Sequence, residues 1–318
     1  MRYVIHIFLF ICATSVGADP NFWRHEWPDT DFSKFSVPFS EIFSGGPGKD
    51  GIPALTNPKF TSLAASEIPE QEPVISVTVG GETRAYPLRY LTWHEIVNDQ
   101  IGTLPIAVTF CPLCNSALVF DRRLQNQVLS FGVTGKLRKS DMVMYDHQTQ
   151  SWWQQATATA IVGALTGESL TQIPSRMESF ADLKQRNPDA ILMAQPDFGR
   201  NYGRNPYVGY DSSSRPFLYS GDPPPHNIPS LARIVRVGNR AWPMTRFQDT
   251  PVIDEAGYTL TAYGNQTSAL DAAIISTSRT VSSIRVQDAQ GKDIAHDIMF
   301  AFAFDAFWPD GIWMITAP

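Results

Sequence analysis

Residues 106–120 read Ile-Ala-Val-Thr-Phe-Cys-Pro-Leu-Cys-Asn-Ser-Ala-Leu-Val-Phe. Two β-type runs, 106–110 and 117–120, flank a Cys-Pro-Leu-Cys segment, so the stretch is expected to fold as strand, tight turn, strand. The pattern recurs along the chain. Residues 74–79 run into Gly80-Gly81 and return through 83–86, a hairpin signal, and 128–133 and 142–145 continue the β pattern. With 24 Pro, 21 Gly and only 18% charged residues, the chain suits strands and turns better than a helical bundle. Two segments depart from this. Residues 88–99 place Leu88, Leu91, Ile96 and Val97 at helical spacing, and 178–186 predict a second short helix stopped by Pro188. The expected fold is mainly β, a β-rich α+β chain with a few short helices.

The chain also resembles itself. Residues 84–99 read RAYPLRYLTWHEIVND and 240–255 read RAWPMTRFQDTPVIDE. Arg84/Arg240, Ala85/Ala241 and Pro87/Pro243 are identical, and Val77-Thr78-Val79 and Val235-Arg236-Val237 precede them as matching β runs. Internal similarity in one order over some 45 residues is the mark of a duplicated unit. The expected organisation is therefore two related β-rich halves packed together: a signal at 1–18, an arm at 19–50, a first half at 51–196, a connecting loop at 197–229 and a degenerate second half at 230–318. Cys111, Cys114 and His94 have no counterpart in the second copy, where Tyr263, Gln266 and Thr250 stand, so the first half is expected to carry the site.

Arg2 before an apolar run at 3–13, with small residues at Val16-Gly17-Ala18, reads as a secretory signal cleaved near Ala18. The run is short for a membrane span, and no later segment is apolar enough for one. A secreted or periplasmic protein is expected. Losing the signal removes Cys12 and leaves Cys111 and Cys114 in a compartment that permits disulfides. A hydrophobic content of 43%, with 12% aromatics, excludes disorder as the main state. A net charge of −6 without a Lys/Arg run sets nucleic-acid binding aside. No partner is legible.

Two thiolates two residues apart can grip one metal ion or close a small disulfide. Thioredoxin-type pairs start a helix, whose dipole lowers the thiol pKa. The β flanks here resemble instead the knuckle of rubredoxins and zinc ribbons. Those folds use two knuckles and this chain has one, so a metal must recruit other ligands. His94, expected on the helix before the strand and joined to it by the short 100–105 connection, is the third candidate. The expected set is Cys111, Cys114 and His94 around copper or zinc, since thiolate and imidazole donors suit both, with a fourth position open. Two other readings stand beside it. One is a thiol–disulfide oxidoreductase acting through Cys111 and Cys114, which requires an exposed sulfur. The other is a binding or scaffold module with an inert disulfide, although a four-residue loop adds only about 2 kcal/mol against about 4.7 for a 100-residue loop.

The segment 140–155 concentrates polar and aromatic side chains. Asp141, Tyr145, Asp146, His147 and Trp153 are candidates for lining a pocket, with turn chemistry and aromatic packing as the alternative; Met142 and Met144 read as core. The aromatic and polar loop at 201–211 is either a cover for the cleft or a plain linker. Several enzyme motifs fail: His94-Glu95 opens a zincin-like string, but Asn98 stands where the second His belongs, and neither a P-loop nor a Gly-x-Ser-x-Gly elbow is present.

Asp50-Gly-Ile-Pro-Ala-Leu, Arg84-Ala-Tyr-Pro-Leu, Trp93-His-Glu-Ile-Val-Asn-Asp, Thr109-Phe-Cys-Pro-Leu-Cys, Phe131-Gly-Val-Thr-Gly, Ser140-Asp-Met-Val-Met-Tyr-Asp and Tyr202-Gly-Arg-Asn-Pro-Tyr together resemble the domain-of-unknown-function family 3179. The resemblance runs from about residue 50 to 310 and implies no particular chemistry. One departure is Asn115, where the family commonly has Gly, which implies a less tight knuckle.

Overall fold

The computed structural model describes residues 20–316. The segment read as a secretory signal lies outside the described residues. Five sheets of three to five strands, a separate two-stranded hairpin and three seven-residue α-helices, Leu88–His94, Phe180–Arg186 and Ala301–Phe307, make up the fold. The mainly β expectation holds. No helix among the described residues is long and apolar enough to cross a membrane.

The first sheet orders its strands Ile42–Ser44, Phe131–Arg138, Asp141–Asp146, Trp152–Gln154 and Thr159–Val162. The second runs Gln172–Ile173, Ser116–Asp121, Leu104–Cys111, Ile96–Ile101 and Leu55–Thr56. The third runs Ser175–Ser179, Pro73–Val79, Glu82–Pro87, Ile191–Met193 and Phe60–Ser62. The fourth runs Asp297–Phe300, Arg233–Val237, Arg240–Pro243 and Ile312–Trp313, and the fifth is the meander Val252–Glu255, Tyr258–Thr267 and Thr280–Asp288.

This layout looks like a five-bladed β-propeller and corrects the expectation of two packed halves, because residues 51–196 alone contribute strands to three sheets. The sequence similarity has a narrower, local meaning. In the third sheet Val77 pairs with Arg84 and Ile75 with Tyr86; in the fourth, Val237 pairs with Arg240 and Val235 with Trp242. Each hairpin then receives a parallel strand, Ile191 beside Arg84 and Ile312 beside Arg240. Each of these strands follows a short helix, as a parallel neighbour requires a crossover. Matching residues at 84–87 and 240–243 thus satisfy the same pleat in two sheets of like plan.

The helix expected over 88–99 stops at His94. Glu95 turns the chain with φ 59°, and Ile96–Ile101 leaves as a strand pairing with Leu104–Cys111. Ile96, Val97 and Ile101 are all fully buried, so β-branched packing inside a sheet overrides the helical spacing. The second helix begins at Phe180 rather than residue 178, because the Ser179 hydroxyl caps it by accepting from the Asp182 N–H at 3.0 Å.

The N-terminal arm is ordered against the first sheet. Ile42–Ser44 adds a strand beside Lys136–Arg138, and Trp27, Phe32 and Ile42 pack with Tyr145 and Trp152 in a core of their own. The Lys136 ammonium, 3.1 Å from Glu26, sits over the rings of Trp23, Trp27 and Trp152.

Candidate functional site

Cys111 ends its strand, Pro112–Cys114 forms one turn of 3-10 helix, and Ser116–Asp121 returns with Ser116 paired to Cys111. The strand–turn–strand reading holds. Asn115, the departure from the resembled pattern, takes the left-handed conformation (φ 51°, ψ 27°), which asparagine tolerates better than other residues with side chains. Its side chain donates to the Ile298 carbonyl at 2.8 Å and accepts from Arg233 at 3.3 Å, so the departure leaves the knuckle closed and anchored.

The neighbouring sheet delivers a third donor. Lys139 and Ser140, both at positive φ, turn the chain so that Asp141 opens the strand Asp141–Asp146. One sulfur from each cysteine and one Asp141 oxygen lie within 4.8 Å of one another. All three residues are buried. The Met142 N–H donates to Cys111 Sγ at 3.4 Å, and Cys114 Sγ lies 3.7 Å from the Ser140 carbonyl. Asp141 Oδ2 accepts from Gln154 Nε2 at 2.6 Å and from the Ala156 N–H at 3.0 Å, and the Cys111 and Cys114 thiols are the carboxylate's other hydrogen-bonding neighbours. Both thiols are free.

Burial dominates the electrostatics. It raises the Cys111 thiol and carries Cys114 well above the ordinary thiol value. It raises Asp141 to about 6 against the opposing hydrogen bonds from Ala156 and Gln154. Glu95, also buried, is raised to about 8 by the same desolvation, and its proximity to Asp141 adds to the shift. The unliganded cluster is therefore rich in protons.

A cavity of about 510 Å³ adjoins the cluster, lined among others by Glu95, Leu113, Met142, Tyr207, Tyr210 and Phe217. The 197–229 segment covers it. Tyr207 reaches Glu95 Oε1 at 3.5 Å, Tyr210 donates to the Leu113 carbonyl at 3.0 Å, and the Ser140 hydroxyl donates to the Phe217 carbonyl. The loop lines this cavity and does not cover a cleft between two halves, which the five-sheet layout lacks.

His94 does not join the cysteines as expected. Its Nδ1 bonds the Pro53 carbonyl at 2.7 Å and its Nε2 the Tyr202 hydroxyl at 2.6 Å, while Phe198 packs on the ring. Desolvation lowers its pKa, which favours the neutral ring, and both nitrogens are already engaged. Asp141 stands where His94 was expected.

The other pocket candidates separate likewise. Tyr145 donates to Asp50 at 2.5 Å, buried Asp146 accepts from Trp153 Nε1 at 2.9 Å and from Thr149, and His147 is an exposed turn residue 2.9 Å from the Ser130 carbonyl. None of Tyr145, Asp146, His147 and Trp153 lines the cavity beside the cysteines. In the sequence Glu95 stands out only as part of a failed zincin string. Its one local signal is a carboxylate directly after an apolar helical turn and before a β-branched run.

Neither a curated protein nor a solved structure matches the chain. The family described as "Protein of unknown function (DUF3179)" matches residues 49–311, most of the chain. The protein therefore belongs to the DUF3179 family.

Proposed function

We propose that this protein binds a metal ion, zinc ahead of copper, through Cys111, Cys114 and Asp141, in the secreted or periplasmic setting that its N-terminal sequence suggests. The observation that carries the reading is the convergence of three buried donor atoms within 4.8 Å. Packing three ionisable groups together away from water is unfavourable for each charged form. A divalent cation reverses that sign, because it stabilises the thiolates and carboxylate that burial disfavours. Two thiolates with a carboxylate oxygen suit zinc; Cu(I) prefers softer donors throughout. Three protein ligands leave a fourth position for water or a bound molecule.

The thiol–disulfide reading has less support. An attacking thiol is exposed and of lowered pKa, whereas Cys111 and Cys114 are buried and raised. An inert scaffold role gives no reason for two thiols and a carboxylate to converge in the core. The test is elemental analysis of protein purified from its native compartment, with a thiol count before and after chelation. The expected result is one zinc or copper ion per chain, lost in Cys111→Ser and Asp141→Asn. Protein that carries neither metal, and takes up neither on reconstitution, would sink the proposal.

A further inference from the structure

We propose a second binding site, for a small oxyanion carrying two or more negative charges, where the third and fifth sheets meet. A cavity of about 390 Å³, within the size range of small-molecule sites, is lined by Arg176 on strand Ser175–Ser179, Arg186 at the end of helix Phe180–Arg186, Arg285 on strand Thr280–Asp288, and Lys292. Asp293 is the one acid in that lining and Glu178 pairs with Arg186 from behind it, so four cationic side chains meet two carboxylates on a chain whose net charge is −6. Its lining shares no residue with the cavity beside the cysteines.

The cations are held in place without being used up. Asp293 Oδ1 accepts from Arg285 Nε at 2.7 Å, and Oδ2 accepts from Arg176 Nε at 3.1 Å and from its Nη2. Glu178, fully buried behind Arg186, accepts from its Nε and Nη2, and the same Nη2 donates to the Ser76 hydroxyl at 2.8 Å. Each guanidinium is thus oriented by one edge. Nη1 of Arg176 and Arg186, both Nη atoms of Arg285 and Nζ of Lys292 make no hydrogen bond among the described residues. Fixed planar donors suit the oxygens of a phosphate or carboxylate group, and Lys292 adds a mobile point charge.

The test is calorimetric titration of the full chain with pyrophosphate and, separately, with citrate, each against sodium chloride of equal ionic strength. Arg285→Ala leaves Asp293 its contact to Arg176, and Lys292→Ala breaks no hydrogen bond of its side chain, so both variants are expected to fold, which their unfolding midpoints check. Saturable binding of either anion, weakened about tenfold or more by each variant (about 1.4 kcal/mol) and weakened further by added salt, is the expected result. Binding of neither anion beyond the chloride control, or affinity unchanged in both variants, would overturn the proposal. Because metal content plays no part in the readout, its failure is distinguishable from failure of the metal reading.

Discussion

Asp297 fixes Ser116, the residue paired across the knuckle with Cys111. Asp297 Oδ2 accepts from the Ser116 hydroxyl at 2.6 Å, and Oδ1 accepts from the Ala117 N–H at 3.1 Å. The fourth sheet therefore holds the strand that leaves the Cys-Pro-Leu-Cys turn. The carboxylate is buried, and the Arg236 guanidinium is its attractive counter-charge.

Asp297→Ala is expected to destabilise the fold by about 3 kcal/mol, since it leaves a buried N–H and a hydroxyl without their acceptor and removes the opposing charge felt by buried Arg236. Urea unfolding of variant and wild type measures the difference. A loss under about 1 kcal/mol, the size of an ordinary substitution, would show that Asp297 is not an anchor of the knuckle.

Asp141 and His94 make opposite predictions. Asp141→Asn should weaken zinc binding by more than about 100-fold, because loss of a direct ligand exceeds the 10–100-fold typical of residues that only orient ligands. His94→Gln should leave metal content unchanged and only lower the thermal midpoint, since His94 bonds Pro53 and Tyr202 rather than the cluster. Competition titration with a chromogenic chelator reads both. The reverse order of effects would restore the Cys111–Cys114–His94 set.

The sequence carried the local structure and not the meeting of distant parts. Gly80 and Gly81 both adopt positive φ, which marks a hairpin in any chain, and β runs around Pro112 announce the knuckle. Asp141 gave no such sign. Four strands, Ser116–Asp121, Arg123–Leu124, Gln127–Val128 and Phe131–Arg138, separate it from Cys114, and only packing of the first sheet on the second brings it to the sulfurs. Glu95 was hidden for a related reason: a glutamate at φ 59° ends the helix, a conformation its residue type does not favour. The repeat was visible as identical residues, but those residues report a hairpin register shared by two sheets, so counting sheets required the three-dimensional pairing.

The stability of metal-free protein should fall on the alkaline side. Desolvation raises Asp141 to about 6, Glu72 to about 7 and Glu95 to about 8, all above ordinary carboxylate values. The folded state therefore holds protons that the unfolded chain releases, and stability present below about pH 4 from these groups is lost as the pH rises through those folded values. Glu26, Asp121 and Asp293, whose values are lowered, act in the opposite sense and lose stability as the pH falls toward them. The chelated protein is expected to be more stable at about pH 5.5 than at about pH 9, and Glu95→Gln should flatten part of that slope. Denaturant midpoints across the range provide the measurement; a flat profile would refute the buried-proton account. Zinc affinity should rise over the same interval, because binding displaces protons from the donors.

Asp211 gives the last prediction, which concerns how the covering loop is tied down. Its fully buried carboxylate accepts at Oδ2 from Arg233 Nη2 at 3.2 Å, from Arg279 Nη2 at 2.9 Å and from the Ser268 hydroxyl at 2.5 Å. Arg233 Nη2 also donates to Asn115 Oδ1, so one guanidinium links the loop to the knuckle turn. Burial already lowers the Arg233 value to about 10, with Asp211 as the main opposing charge. Removing the carboxylate strands that cation in the core, and Asp211→Ala is expected to cost about 3–5 kcal/mol. Adding Arg233→Met should recover a large part of the loss, because an apolar side chain has no charge to leave uncompensated. A double-mutant cycle read by urea unfolding separates the two effects. Additive losses, with no recovery in the double variant, would mean that Arg233 matters for its bonds to Asn115 and Ser268 and not for its pairing with Asp211.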